Sequence, residues 1–244
     1  GGMAQYCRVP QAHLIKLDER LSYTEGAAIP VNFGTTYRML FTNGDLKGDE
    51  LVLILGASGG VGMAAVQVCK AHGCTVIACA GSDEKCERLK NEMGADYVIN
   101  YNKDDFSREA WKISQKKGVD VCVNFTGGDT WAPCLRVAKR GGRVVTCGAT
   151  AGHDPQTDLR YIWSFEQTIL GSNGWDRADH EALLDMMAAD RFRPIVDSVR
   201  PSAAPVGCQL CAGRGCTPSP SVLLANVTRR GIGTRPSTKS TTSA

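Results

Sequence analysis

"LVLILGASGGVGMAAVQVCK" (residues 51–70) is an unbroken apolar run, then four glycines within seven residues, then an Ala- and Val-rich stretch. The run "LVLIL" has the composition of a strand buried on both faces. Val61, Ala64, Ala65, Val68 and Cys69 recur at helical spacing, and Gly73 marks that helix's end. Between strand and helix, Ala57, Gly59 and Gly62 spell A-x-G-x-x-G, with Gly56 and Gly60 as further small positions. Such a turn bends tightly, lets a pyrophosphate approach the backbone and packs helix on strand closely. The helix start then offers free N–H groups and a dipole end of roughly +0.5 charge. Ser58, Gly59, Gly60, Val61 and Gly62 are therefore candidate dinucleotide-binding residues. A P-loop is excluded, because Met63 and Ala64 stand where Lys and Ser or Thr would be required.

Outward from this turn the chain alternates. "TVIACA" (75–80), "DYVINY" (96–101), "VDVCVNF" (119–125), "RVVTCG" (143–148) and "QTILGS" (167–172) read as five further strands. Helices are expected in "DEKCERLKNEM", "DDFSREAWKIS", "DTWAPCLRVAK" and "RADHEALLDMMAAD", the first capped by Ser82. This order requires right-handed crossovers and a parallel sheet covered on both faces. The expected fold class is α/β, a Rossmann-type doubly wound parallel sheet of about six strands. Upstream, "TEGAAIPVNFGTTYRMLF" reads as one helix kinked at Pro30.

An enzyme that reads an unphosphorylated ribose usually places Asp or Glu at the end of the second strand. Here that position holds Cys79-Ala80-Gly81-Ser82. Small residues leave room there, Ser82 can donate a hydrogen bond, and Lys85 lies one turn into the next helix. A 2′-phosphate carries nearly two negative charges, which a carboxylate would repel and Lys85 would attract. The expected cofactor is NADPH rather than NADH.

The chain has 244 residues, 43% of them hydrophobic, and a net charge of +3, which points to neither a nucleic-acid nor a membrane partner. Asp197 is the last acid, and six basic residues follow it, so the tail holds the positive charge. Residues 200–244 are rich in Ser, Thr, Pro and Gly and are expected to be disordered or aberrant. Of eleven cysteines, Cys69, Cys74, Cys79, Cys122 and Cys147 fall in apolar patterns, where Cys serves as a small buried hydrophobe. That usage, with no expected targeting peptide, predicts a reduced, cytoplasmic setting. Cys208, Cys211 and Cys216 imitate a zinc-binding repeat but supply three ligands where a tetrahedral site needs four. His13, His72 and His180 read as surface positions, and His153 and Asp154 as residues of the loop after the fifth strand.

Taken together, "GGMAQYCRVP", "LSYTEGAAIPVNFGTTYRML", "LILGASGGVGMAAVQ", "EMGADYVINY", "VDVCVNFTGG", "RGGRVVTCGATAG" and "TILGSNG" resemble the medium-chain dehydrogenase/reductase superfamily. The resemblance lies with its zinc-type alcohol dehydrogenase-like and NADPH:quinone oxidoreductase branches and runs through residues 1–199. It implies that Thr35 lies near the nicotinamide and phosphates, and that Tyr101 lines the 2′-phosphate pocket with Lys85. It also implies that Thr126, Gly127, Cys147, Gly148 and Ala149 lie along the cofactor. A short-chain dehydrogenase is disfavoured, since no tyrosine is followed four residues later by lysine. The family's zinc-ligating cysteine is matched by Val31, which cannot coordinate a metal, so no metal is expected.

The resemblance further implies hydride transfer from NADPH to a small-molecule quinone, enone, aldehyde or ketone. Residues 1–30 match the end of a GroES-like catalytic domain and residues 31–199 the dinucleotide-binding domain. No catalytic residue is identified. A non-catalytic NADPH-binding fragment and a zinc-dependent alcohol dehydrogenase are the alternatives, and a homodimer through the sheet edge at "QTILGS" is the expected assembly.

Overall fold

The computed structural model describes residues 8–196 and Val199. The candidate tail, with Cys208, Cys211 and Cys216, lies outside the described residues. Six strands form one parallel sheet: β1 (Leu51–Ile54), β2 (Thr75–Ala80), β3 (Tyr97–Asn100), β4 (Val119–Val123), β5 (Ala138–Thr146) and β6 (Thr168–Gly171). Their spatial order is β3-β2-β1-β4-β5-β6, with every neighbouring pair parallel. The chain winds outward from β1 in one direction, then crosses to β4 and winds outward in the other. The reversal falls between β1 and β4, where doubly wound sheets open a ligand crevice at the strand carboxyl ends.

Continuous apolar runs build this sheet because both of its faces are covered. Val52, Ile54, Val76, Ala78, Val121 and Val123 point to one face, where they meet Ala65, Val66 and Cys69 of α3 (Gly60–Ala71) and Leu89 of α4 (Asp83–Asn91). Leu53, Ile77, Cys122 and Val144 point to the other, against Phe106 and Ala110 of α5 (Phe106–Ile113) and Leu135 of α6 (Trp131–Val137). The strands' amino ends are tied by charge. Arg143 pairs with Glu50 at 2.5 Å, Lys139 pairs with Asp120, and Asp120 also accepts the Leu51 N–H.

A third apolar cluster lies outside α3. There α1 (Tyr23–Ala28), α2 (Asn32–Tyr37) and α8 (Arg177–Ala188) pack Ile29, Phe33, Leu183 and Met187 onto Ala64 and Val68. The Phe33 and Phe192 rings stack at 5.2 Å. Asp179 is buried there, accepting from Arg38 Nη1 at 2.8 Å and from Thr42 Oγ1 at 2.5 Å. These contacts fix α2, and with it Thr35, beside the glycine turn.

Four local readings need correction. The kinked helix at Pro30 is two helices, because proline lacks the N–H and crowds the preceding turn, so α1 closes before it. The second piece runs on into a widened turn, Arg38–Thr42. The helix expected over residues 129–139 ends at Val137, and β5 begins at Ala138, earlier than "RVVTCG" suggests. A further helix, α7 (Leu159–Ser164), precedes β6. His180 is half-buried rather than a surface residue, edge-on to Trp175 with ring centroids 5.6 Å apart, and burial lowers its pKa. His72 is likewise half-buried, its ring edge against Phe41, while His13 is exposed.

Candidate functional site

The glycine turn leaves β1 at the switch point and enters α3 at Gly60. The Ala57 N–H donates to the Cys79 carbonyl at 2.9 Å, pinning the turn to the end of β2. The Gly59 N–H donates back to the Gly56 carbonyl at 2.9 Å, which closes it. Gly62 cannot be replaced without movement, since a Cβ there would lie 2.3 Å from the Gly56 oxygen and 2.6 Å from the Ala57 Cα. Helix and strand therefore touch backbone to backbone. Ser58, Gly60 and Val61 are half-buried and Gly59 exposed, at the start of a twelve-residue helix with no side-chain cap. Its first N–H groups point toward any anion seated above the turn.

Thr35 is half-buried on α2. Its neighbour Thr36 is fully buried and donates to the carbonyls of Asn32 and Val61, at 2.7 and 3.2 Å. This second bond ties α2 directly to the turn.

Ser82 and Lys85 follow the end of β2, and Tyr101 follows the neighbouring β3 and reaches Gly81. Ser82 caps α4, its Oγ accepting the Lys85 N–H at 3.3 Å, which leaves the hydroxyl proton free to donate. Lys85 is half-buried, and among the described residues its ammonium has no ion pair or side-chain hydrogen bond. Tyr101 follows β3 and is 44% exposed, its phenol oxygen 3.2 Å from where a side chain on Gly81 would begin. Burial of its inner part raises the phenol pKa. A carboxylate does lie nearby: Asp83, in the first turn of α4, bonded to Asn100 and Lys103.

The ends of β4 and β5 form the other side. Thr126 and Gly127 are held by Asn124, a fully buried residue that the apolar strand pattern did not single out. Its Oδ1 accepts the N–H groups of Thr126 and Gly127 at 3.0 and 2.9 Å, and its Nδ2 donates to Thr130 Oγ1 at 3.2 Å. The signal was an amide inside "VDVCVNF", where an unpartnered polar group would be costly. Gly127 takes φ +69°, a conformation open to glycine, and its backbone runs against Gly152. Cys147, Gly148 and Ala149 line a cleft of about 500 Å³ with Trp131, His153, Asp154 and Thr157. Burial pushes the Cys147 thiol up to about 11, so it is neutral at ordinary pH. All fourteen candidate residues thus lie on α2, in the turns at the carboxyl ends of β1, β2, β3, β4 and β5, or in the first turns of the helices that follow.

Val31, at the position that matches the family's zinc-ligating cysteine, is 61% exposed and has no donor atom in its side chain. Among the described residues no three His, Cys, Asp or Glu side chains come together to hold a metal. These residues do not fit a zinc ion. No helix among them is long and apolar enough to cross a membrane.

Comparisons with known proteins agree with this fold. A family model described as "Zinc-binding dehydrogenase" matches residues 60–189. Human quinone oxidoreductase is 29% identical over 207 residues, covering 82% of this chain and 62% of that protein. A crotonyl-CoA carboxylase/reductase of Cereibacter sphaeroides is 30% identical, covering 83% of this chain and 53% of that one. Among solved structures, AibC superposes with a TM-score of 0.75 at 34% identity, over 80% of this chain and 54% of its own. The 2-octenoyl-CoA carboxylase reductase CinF, solved with NADP and 2-octenoyl-CoA, gives a TM-score of 0.69 at 30% identity, over 80% and 48% of the two chains. The chain thus spans about half to three fifths of the length of these relatives. On the match of the family model over residues 60–189 and the sheet that carries it, the chain belongs to the zinc-binding dehydrogenase family of the medium-chain dehydrogenase/reductase superfamily.

Proposed function

We propose that this chain binds NADPH and serves as the cofactor-holding part of an oxidoreductase. When bound, that cofactor supplies a hydride to a quinone, enone, aldehyde or ketone. The observation that carries the reading is at the end of β2, where Ser82 caps α4, the ammonium of Lys85 one turn on has no partner among the described residues, and the Tyr101 phenol lies against Gly81. A 2′-phosphate would satisfy that ammonium, and the dinucleotide found with CinF lends support.

In this reading Ser58 to Gly62 hold the pyrophosphate through backbone N–H groups. Ser82, Lys85 and Tyr101 hold the 2′-phosphate, and Thr35 orients the nicotinamide. Thr126, Gly127, Cys147, Gly148 and Ala149 form the wall beneath it, against the cleft that contains His153. The neutral Cys147 thiol adds no charge beside the transferring hydride. Residues 1–30 are assigned to the end of a catalytic domain, 31–199 to the dinucleotide-binding domain and 200–244 to a separate tail. A small-molecule acceptor, a homodimer through the exposed edge of β6 and a cytoplasmic setting complete the proposal, with no role for nucleic acid or membrane. No step is assigned to zinc, for which the described residues supply no donor set.

Titration with NADPH and NADH, followed by reduction assays with a quinone, an enone and an aldehyde, tests it. Tighter binding of NADPH with turnover supports the full reading. Binding without turnover supports a cofactor-binding module instead. Absence of binding to either dinucleotide sinks both.

A further inference from the structure

Asp83, the residue after Ser82, has a partner on each of its carboxylate oxygens. Asp83 Oδ1 accepts from Asn100 Nδ2 at 2.7 Å, and Oδ2 pairs with the Lys103 ammonium. Asn100 is itself buried, and its Oδ1 accepts the Asn102 N–H at 3.1 Å. Asn102 Nδ2 in turn donates to the Gly81 carbonyl at 2.7 Å. The turn after β3 thus clasps the turn after β2 from one side, with Tyr101 between them.

We propose that Asn100 and Lys103 form a lock that withdraws Asp83 from the ribose subsite and so sets the preference for the phosphorylated cofactor. The proposal rests on the NADPH reading above and extends it to residues outside the phosphate contacts. A free carboxylate at the start of this helix could accept from a ribose hydroxyl and would repel a 2′-phosphate. With Asn100 and Lys103 each donating to it, the Asp83 carboxylate is a weaker acceptor for the sugar. Its charge is offset by Lys103, which lessens its opposition to the Lys85 field. Lys103 first and Asn100 second hold the Asp83 carboxyl below the usual range, in keeping with that engagement.

The pair is solvent-exposed, with 63% of the Lys103 and 60% of the Asp83 side chain accessible. Such pairs contribute little to folding, so substitutions there read out binding rather than stability.

A double-mutant cycle on the full chain tests the lock. NADPH and NADH dissociation constants are measured for the wild type, Lys103→Met, Asp83→Asn and the double variant. Lys103→Met is expected to weaken NADPH about fivefold, and less at high salt, while NADH stays within about twofold. Adding Asp83→Asn is expected to return NADPH to within about twofold of the wild type. An NADPH loss that persists in the double variant overturns the lock and makes Lys103 a direct phosphate ligand. No loss in Lys103→Met overturns it as well. A wild type that binds neither dinucleotide, or prefers NADH, fails the cofactor reading and the lock with it, and is told apart by the wild-type titration alone.

Discussion

The turns after β1 and after β5 are both glycine-containing, and both open at the same end of the sheet, yet they are built in opposite ways. After β1 the backbone is packed at Gly62 until no side chain fits there, as the 2.3 Å approach of a Gly62 Cβ to the Gly56 oxygen shows. After β5, a Cβ on Gly148 would meet its nearest neighbours, the carbonyl oxygen and Cβ of Phe125, only at 3.7 and 3.9 Å. The first turn is shaped by the protein's own helix and strand. The second leaves room, and a ligand or another surface can use it. Rigid glycines thus mark where the cofactor's pyrophosphate is expected, and spacious ones where its reactive end and the acceptor would meet.

That contrast breaks most readily at Gly62. Gly62→Ala is expected to force β1 and α3 apart, destabilise the fold by about 3 kcal/mol and abolish NADPH binding, as checked by denaturant unfolding and titration. Asn124→Ala comes next. Removing the acceptor of the Thr126 and Gly127 N–H groups leaves two backbone donors unsatisfied, an expected loss of about 2 kcal/mol in denaturant midpoint analysis. Lys85→Ala should leave stability nearly unchanged. It should weaken NADPH by about tenfold or more and leave NADH within about twofold, since only the 2′-phosphate is expected to meet this ammonium. The smallest effect is expected at Gly148→Ala, within about 0.5 kcal/mol by unfolding, because the methyl meets its neighbours at ordinary contact distance. A Gly148→Ala loss as large as that of Gly62→Ala would erase the distinction between the two turns.

Much of the sheet was legible in the sequence, because strands buried on both faces read as continuous apolar runs while the intervening helices keep a 3.6-residue period. "LVLI", "TVIACA" and "VDVCV" became β1, β2 and β4 with little displacement. What was hidden depends on partners distant in the chain. Ala138 and Lys139 carry on from a helical pattern, and they turn to strand because β4 lies beside them, with Ala138 opposite Val119. The short helix α7 has no fully buried residue and so leaves no apolar stripe to read.

The site shows the same division. The glycine turn and the lack of an acid at residues 79–82 are local facts. The half-burial of His180 against α2 and the clasp on Asp83 by Asn100 need contacts from other elements, and the Asn124 hub needs the turn that folds back on it at Thr126, Gly127 and Thr130. Asp83 is instructive, because the chain does carry an acid one residue past the expected place, and only the structure shows what occupies it.

The central claim is that this sheet holds a phosphorylated dinucleotide at the end of β2. Direct titration of the full chain with NADPH and NADH, followed by nicotinamide fluorescence, measures it. Saturable binding is expected, with NADPH at least about tenfold tighter. Equal affinity for the two, or tighter binding of NADH, would contradict it.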